Sequence, residues 1–246
     1  MKKSIYRICL TIVCLFAPAG TACAQSIEEA RAAYAEGRFM EAAEIARALG
    51  TSEGHALAAD SLAIHGYYVA PEGERAGLFR RAEELAREAV RLDAANPEAH
   101  LQLAHAMGRQ AQISGTLKAL KEGYAGKVRD AIEEALRLDP KMAAAHVSLA
   151  AWHAGVVGAG GFFAALLYGA SEKEALAHFD RALELAPQDK AVLFEYALGL
   201  LKLDAEENRA KARDLLERAT GLPPEDAFER LVHRKAVERL AATGGG

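Results

Sequence analysis

Ala175, Phe179, Ala182 and Pro187 set a small, large, small, proline order at spacings of four, three and five residues. On a helix the first three share one face, and the proline closes the turn that follows. The phrase recurs: Ala89-Val90-Arg91-Leu92-Asp93, Ala135-Leu136-Arg137-Leu138-Asp139-Pro140, Ala182-Leu183-Glu184-Leu185-Ala186-Pro187 and Ala219-Thr220-Gly221-Leu222-Pro223-Pro224 superpose. Seven residues before each stands Ala82, Val128, Ala175 or Ala212. After the first three comes a second helix with a large residue beside a small one, at Leu103-Ala104, Leu149-Ala150 and Tyr196-Ala197. A chain built this way stacks helical hairpins, each covering the face of the last.

The spacing resembles the second helix of a tetratricopeptide repeat, which implies an all-α, right-handed solenoid of helical hairpins. From Asn96 onward the unit lengthens, with His100 recurring as His146, Leu103 as Leu149, Gly115 as Gly161 and Leu92 as Leu138. A simple unit has about 34 residues, so roughly 12 extra residues are expected between the paired helices. So long a period also suits HEAT or armadillo repeats; the recurring phrase and Asp139-Pro140 favour the tetratricopeptide reading. Two extended central repeats between ordinary ends, with a C-terminal capping helix, are the expected architecture. Residues 80–243, through Gly115 to Tyr124, Ala131 to Pro140, His146 to Trp152, Ala175 to Pro187 and the Leu222-Pro223-Pro224 turn, are similar to the regulator of microtubule dynamics family. That family is known from eukaryotic proteins implicated at microtubules and mitochondria. The resemblance implies an architecture and a partner-binding habit, and this chain departs from it where glycine and aromatic residues replace charges in the central insertion.

Residues 1–24 read as a signal peptide: Lys2, Lys3 and Arg7 precede the apolar run Ile8 to Ala19, and Ala22-Cys23-Ala24 offers a cleavage site. Periplasmic or secreted localisation is the consequence. Lipidation at Cys23 is the lesser alternative, because Gly20 stands where such signals carry a leucine-like residue. All three cysteines, Cys9, Cys14 and Cys23, lie before the cut, so the mature chain has no thiol or disulfide. Losing three basic residues takes the formal charge from −4 to −7, which argues against nucleic acid or an anionic membrane surface as the main partner.

The repeat domain spans 25–243. Ser26-Ile27-Glu28-Glu29 is a capping start, Gly37 separates the first two helices, and Leu62-Ala63 marks the next first helix before Pro71. Tyr67 and Tyr68 read as packing residues rather than a ligand platform. In the last helix Phe228, Leu231, Val232, Ala236 and Leu240 form one face, and Glu229, Arg230, Arg234, Lys235 and Arg239 a solvated one. Residues 244–246 are an expected disordered tail.

Ala154 to Ala170 contains no charged residue. Three accounts compete: a long helix that breaks at its glycines with the remainder packed on its neighbour, a lid of Phe162, Phe163, Leu166, Leu167 and Tyr168 over an apolar ligand or helix, or a membrane-inserted segment. Gly158-Ala159-Gly160 lacks the preceding strand and third glycine of a dinucleotide loop.

In repeats of this kind the first helices line the concave face. The resemblance places Leu101, His105, Arg109, Val147, Ala151, Phe194, Leu198 and Lys202 there, an apolar middle with basic rims, or alternatively cement between repeats. His100 and His105, or His146 and His153, are spaced wrongly for one pair to hold a metal, though a set assembled across repeats stays open. No nucleophile elbow, metalloprotease motif or phosphate loop is present, so neither catalytic residues nor a cofactor are expected. The expectation is a non-enzymatic adaptor for a protein or peptide partner in the cell envelope. The alternative is a carrier of a small apolar acid under the insertion.

Overall fold

The computed structural model describes residues 26–115, 119 and 121–243, with the side chains of 159–164 outside that description. The expected signal segment with Cys23 and the tail at 244–246 therefore fall outside the described residues, as do the side chains of Phe162 and Phe163. Among the described residues, eleven α-helices of ten or more residues follow one another. They are α1 (Ile27–Glu36), α2 (Phe39–Ala48), α3 (Ser52–Tyr68), α4 (Glu72–Leu92), α5 (Pro97–Ser114), α6 (Tyr124–Leu138), α7 (Ala143–Tyr168), α8 (Glu172–Leu185), α9 (Lys190–Leu203), α10 (Arg209–Gly221) and α11 (Ala227–Thr243). Helices α1 to α10 pair as five successive hairpins, and α11 packs on α9, α10 and α1.

Side-chain oxygens fix several helix starts by accepting from otherwise orphaned backbone N–H groups. Ser26 accepts from Glu29, Thr51 from Gly54, Asn96 from Glu98 and Ala99, Ser171 from Glu174, and Asp189 from Ala191 and Val192. At the C-terminal end of α10 the cation does the same work. Lys190, 1% exposed, donates to the carbonyls of Leu222 at 2.5 Å and Ala219 at 3.4 Å.

The recurrent phrase is the seam of each hairpin. Ala82, Ala86 and Ala89, then Ile132 and Ala135, then Ala175, Phe179 and Ala182, then Ala212, Leu216 and Ala219 are all buried. The residue between the alanines varies in bulk, and the facing helix adjusts. Where it is Phe179, the ring stacks on Tyr196 at 4.7 Å and 8°, and a Cβ on Gly199 would lie 2.2 Å from it. Glycine lets the helices close over an aromatic slab. Tyr196 then donates from its hydroxyl to Asp180 at 2.5 Å, so this deep ring keeps its polar end satisfied.

The two extended units gain their length differently. The third hairpin adds residues between α5 and α6, whereas the fourth adds them to α7 itself, which runs 26 residues. The expected break at the insertion glycines does not occur: α7 continues through them to Gly169, which ends it in the left-handed region at φ 68°. Close packing explains part of the glycine content, since a Cβ on Gly158 would lie 2.7 Å from the carbonyl oxygen of Lys202. Val156, Val157, Ala165 and Tyr168 pack on the third hairpin's core, and Arg129 caps the helix end through the Tyr168 carbonyl at 3.0 Å. Leu166 and Leu167 stay 70% and 72% exposed. No described helix is long and apolar enough to cross a membrane.

The array closes on itself. Phe39, Ala227 and Leu231 form a small core with Tyr34, Ile64 and Tyr68, and Arg230 donates to the carbonyl of Ala35 at 3.5 Å. Tyr68 meets Phe228 edge to face at 6.2 Å. First and last units are thereby in contact, and the first helices of the hairpins face a shared interior.

Candidate partner-binding channel

Helix α5 supplies the spine of that interior. Glu98, Gln102, His105 and Arg109 fall at i, i+4, i+7 and i+11, a single polar stripe along a helix whose other faces are largely buried. Two of its members, His105 and Arg109, reach other helices. Gln102 Nε2 donates back to Glu98 at 2.7 Å. His105 lies between Gln102 Oε1, 3.3 Å from its Nδ1, and the Ser148 hydroxyl of α7, 2.8 Å from its Nε2. An amide oxygen only accepts, so Nδ1 carries the proton and Nε2 accepts from the Ser148 hydroxyl, whose alternative acceptor is the Ala144 carbonyl. Arg109 lies flat over Tyr67 of α3, its guanidinium carbon 3.7 Å from the ring centre.

Opposite α5 stands Asp60 of α3, with the Tyr34 hydroxyl of α1 near enough to favour its charged form. Asp60 and His105 each keep a fringe of accessible surface, yet protein surrounds them, as it does residues at the bottom of a narrow channel. Their titration reflects this. Desolvation, followed by the Glu98 charge, pushes the Asp60 carboxyl up to about 7, against the pull of the Tyr34 hydroxyl and with a further push from Asp226. Desolvation, then Arg109, takes the His105 imidazole down to about 4. Burial also raises the Tyr34 phenol well above its ordinary range. Tyr68 shifts upward by burial and then by the Glu195 carboxylate, which brings α9 to the same interior.

The expected apolar middle of the concave face is thus differently occupied. Leu101, Val147 and Phe194 are 1%, 8% and 6% exposed and belong to the cores between helices. Ala151 and Leu198 are half-buried against the fourth and fifth hairpins' core. One step around each helix separates these positions from the inward stripe. His105 and Arg109 do line the interior, and Lys202 is exposed at the end of α9. Glu98, Gln102, Asp60, Tyr34 and Glu195 are the lining residues that spacing alone passed over, and Tyr67, expected as a packing residue, is instead 40% exposed beneath Arg109. The four-member polar stripe of α5 was the signal available for two of them.

Two clefts lie away from these residues. A cleft of about 500 Å³ runs along the seam between the first hairpin and α11, over Phe39, Val69 and Leu231 and beside Arg230 and Arg234. A second, of about 600 Å³, separates α4 from α5 and α6 and is lined by Arg80, Glu83, Arg87 and Tyr124. Among the described residues no three His, Cys, Asp or Glu side chains are gathered into a metal cage.

The fold recurs among solved structures. The crystal structure of a thermophilic TPR protein of Thermus thermophilus superposes with a TM-score of 0.60 at 17% identity, covering 86% of this chain and 97% of that one. At this identity the likeness is one of fold, and it is a solenoid of tetratricopeptide hairpins. No curated protein sequence matches. The family model described as Regulator of microtubule dynamics protein 1-3 matches residues 26–244, and the chain belongs to that family.

Proposed function

We propose that the protein is a non-enzymatic scaffold that binds a protein or peptide partner of the cell envelope in its inner channel, after removal of the signal segment. The supporting observation is the polar stripe Glu98, Gln102, His105 and Arg109, which faces Tyr34, Asp60, Tyr67 and Ser148 from three other helices. None of these contacts is needed to hold a hairpin together, and buried polar groups are costly unless a role retains them. Carboxylates at one end and Arg109 with Lys202 toward the other suit an extended segment carrying both charges. Affinity purification with the mature chain as bait tests this. The double variant Tyr67→Ala/Arg109→Ala should reduce recovery of the specific partner about tenfold or more, since desolvated aromatic and arginine anchors dominate interfaces. Unchanged recovery sinks the channel as the binding surface.

A second reading rests on Leu166 and Leu167, exposed near the end of α7. There the insertion segment, with Phe162, Phe163 and Tyr168, serves as an apolar contact for a small acid or a partner helix. Native mass spectrometry of gently purified protein distinguishes it. A bound small mass lost with Leu166→Asp/Leu167→Asp favours the carrier, and its absence the scaffold.

A further inference from the structure

His100 and His146 occupy equivalent places in successive hairpins and make the same bond. His100 Nε2 lies 3.0 Å from the carbonyl of Ala94, and His146 Nε2 lies 3.1 Å from that of Pro140, each six residues back. A carbonyl only accepts, so each ring carries its proton on Nε2 and leaves Nδ1 as a lone pair. This is a recurrent turn-closing device of the array. In the fourth hairpin alone the leftover nitrogen meets a second imidazole: His178 Nδ1 of α8 stands 2.9 Å from His146 Nδ1.

We propose that His146 and His178 form a clip for a late first-row divalent cation, Zn²⁺ or Cu²⁺, that joins α7 to α8. As drawn, His178 donates its Nδ1 proton to His146. Moving that proton to His178 Nε2 changes no charge and turns two Nδ1 lone pairs toward one point. Zinc–imidazole bonds of about 2.0–2.1 Å need the two nitrogens roughly 3.3 Å apart in a tetrahedral site, so the rings separate by a few tenths of an ångström. The Pro140 carbonyl already holds His146 by its far nitrogen, the outer contact that orients most metal-bound histidines. Both rings are half-buried, which leaves an ion a route in. Exposed Glu174, one turn before His178 on α8, offers a carboxylate for a third position after a rotamer change, and water completes the shell. Imidazole pairs select zinc and copper over magnesium or calcium.

The probe is ZnCl₂ or CuCl₂ titrated calorimetrically into untagged, chelator-stripped mature protein, with circular dichroism confirming that each variant folds. One saturable site per chain is expected. His178→Gln should weaken it at least about tenfold, His146→Gln equally, and Glu174→Gln less, while His153→Gln and His233→Gln leave it unchanged. A thermal midpoint raised by the ion in the parent and not in folded His178→Gln gives an independent readout. Absence of saturable binding by either ion, or binding retained by His146→Gln/His178→Gln, overturns the proposal.

Discussion

Phe179 and His105 are both taken out of water by neighbouring helices, but they belong to regions built by different rules. Around Phe179 stands an apolar and aromatic cluster, with Ala175, Ala182, Tyr196 and Gly199 closing on the ring. Around His105 stand Gln102, Ser148 and Arg109, with the Glu98 and Asp60 carboxylates farther along the same channel. The hairpin seam gains stability from close packing, whereas the channel holds groups whose burial costs free energy. A scaffold needs both: seams that hold the array rigid, and an interior left polar for something else to complete.

The largest expected effect separates the two regions. Phe179→Ala leaves a cavity between α8 and α9 and should cost about 3–5 kcal/mol in chemical denaturation. A loss below about 1 kcal/mol would mean that the seam collapses freely and is not the rigid part.

Next come the channel's titrating groups, which act in opposite directions over nearly the same range. Asp60 has its folded pKa raised from 3.8 to about 7, so its contribution is full below 3.8 and is lost as pH rises toward 7. His105 has its folded pKa lowered from 6.5 to about 4, so its contribution is full above 6.5 and is lost as pH falls toward 4. In the parent the two slopes largely cancel. His105→Gln should therefore make stability fall between pH 4 and 7, and Asp60→Asn should make it rise between pH 4 and 6.5. The ceilings are about 4 kcal/mol for the Asp60 slope and about 3 kcal/mol for the His105 slope, each reduced by the channel's partial access to solvent. Melting curves across that range check both signs; parallel profiles for the two variants would show that the groups are not confined as described.

Lys190→Met should cost about 1–3 kcal/mol by leaving the Ala219 and Leu222 carbonyls without their buried donor. Thermal unfolding of the variant at pH 7 measures it, and a midpoint equal to the parent's would assign those carbonyls to water. Smallest of all, Leu166→Gln/Leu167→Gln should stay within about 0.5 kcal/mol of the parent, because both side chains are already in water. A large loss there would place the end of α7 in the packed region instead.

This contrast also explains what the sequence made legible. Seam positions repeat along the chain with local spacing, so Ala82, Ala135, Ala175 and Ala219 announced themselves as core, and so did the cap at Ser26. The channel has no such repeat. Asp60 and Tyr34 become interior because α11 returns to the first hairpin through Arg230 and Ala35, a contact across 195 residues that no local pattern encodes. On α5, Leu101 and Gln102 are adjacent, and only the curl of the array decides that the second faces the channel. The insertion misled for a related reason. Glycines lower helix propensity, but the packing of Val156, Val157 and Tyr168 and the close approach at Gly158 outweigh that local cost.

Photo-cross-linking measures most directly whether the channel is where a partner sits. A benzophenone amino acid is placed in turn at Tyr67 and Arg109, at the channel, and at Arg91 and Arg137, on exposed second helices, in cells that make the full chain. The predicted result is one partner captured from Tyr67 and Arg109, and lost from both when Asp60→Lys reverses the charge inside the channel. Capture from Arg91 and Arg137 with none from the channel positions would contradict it.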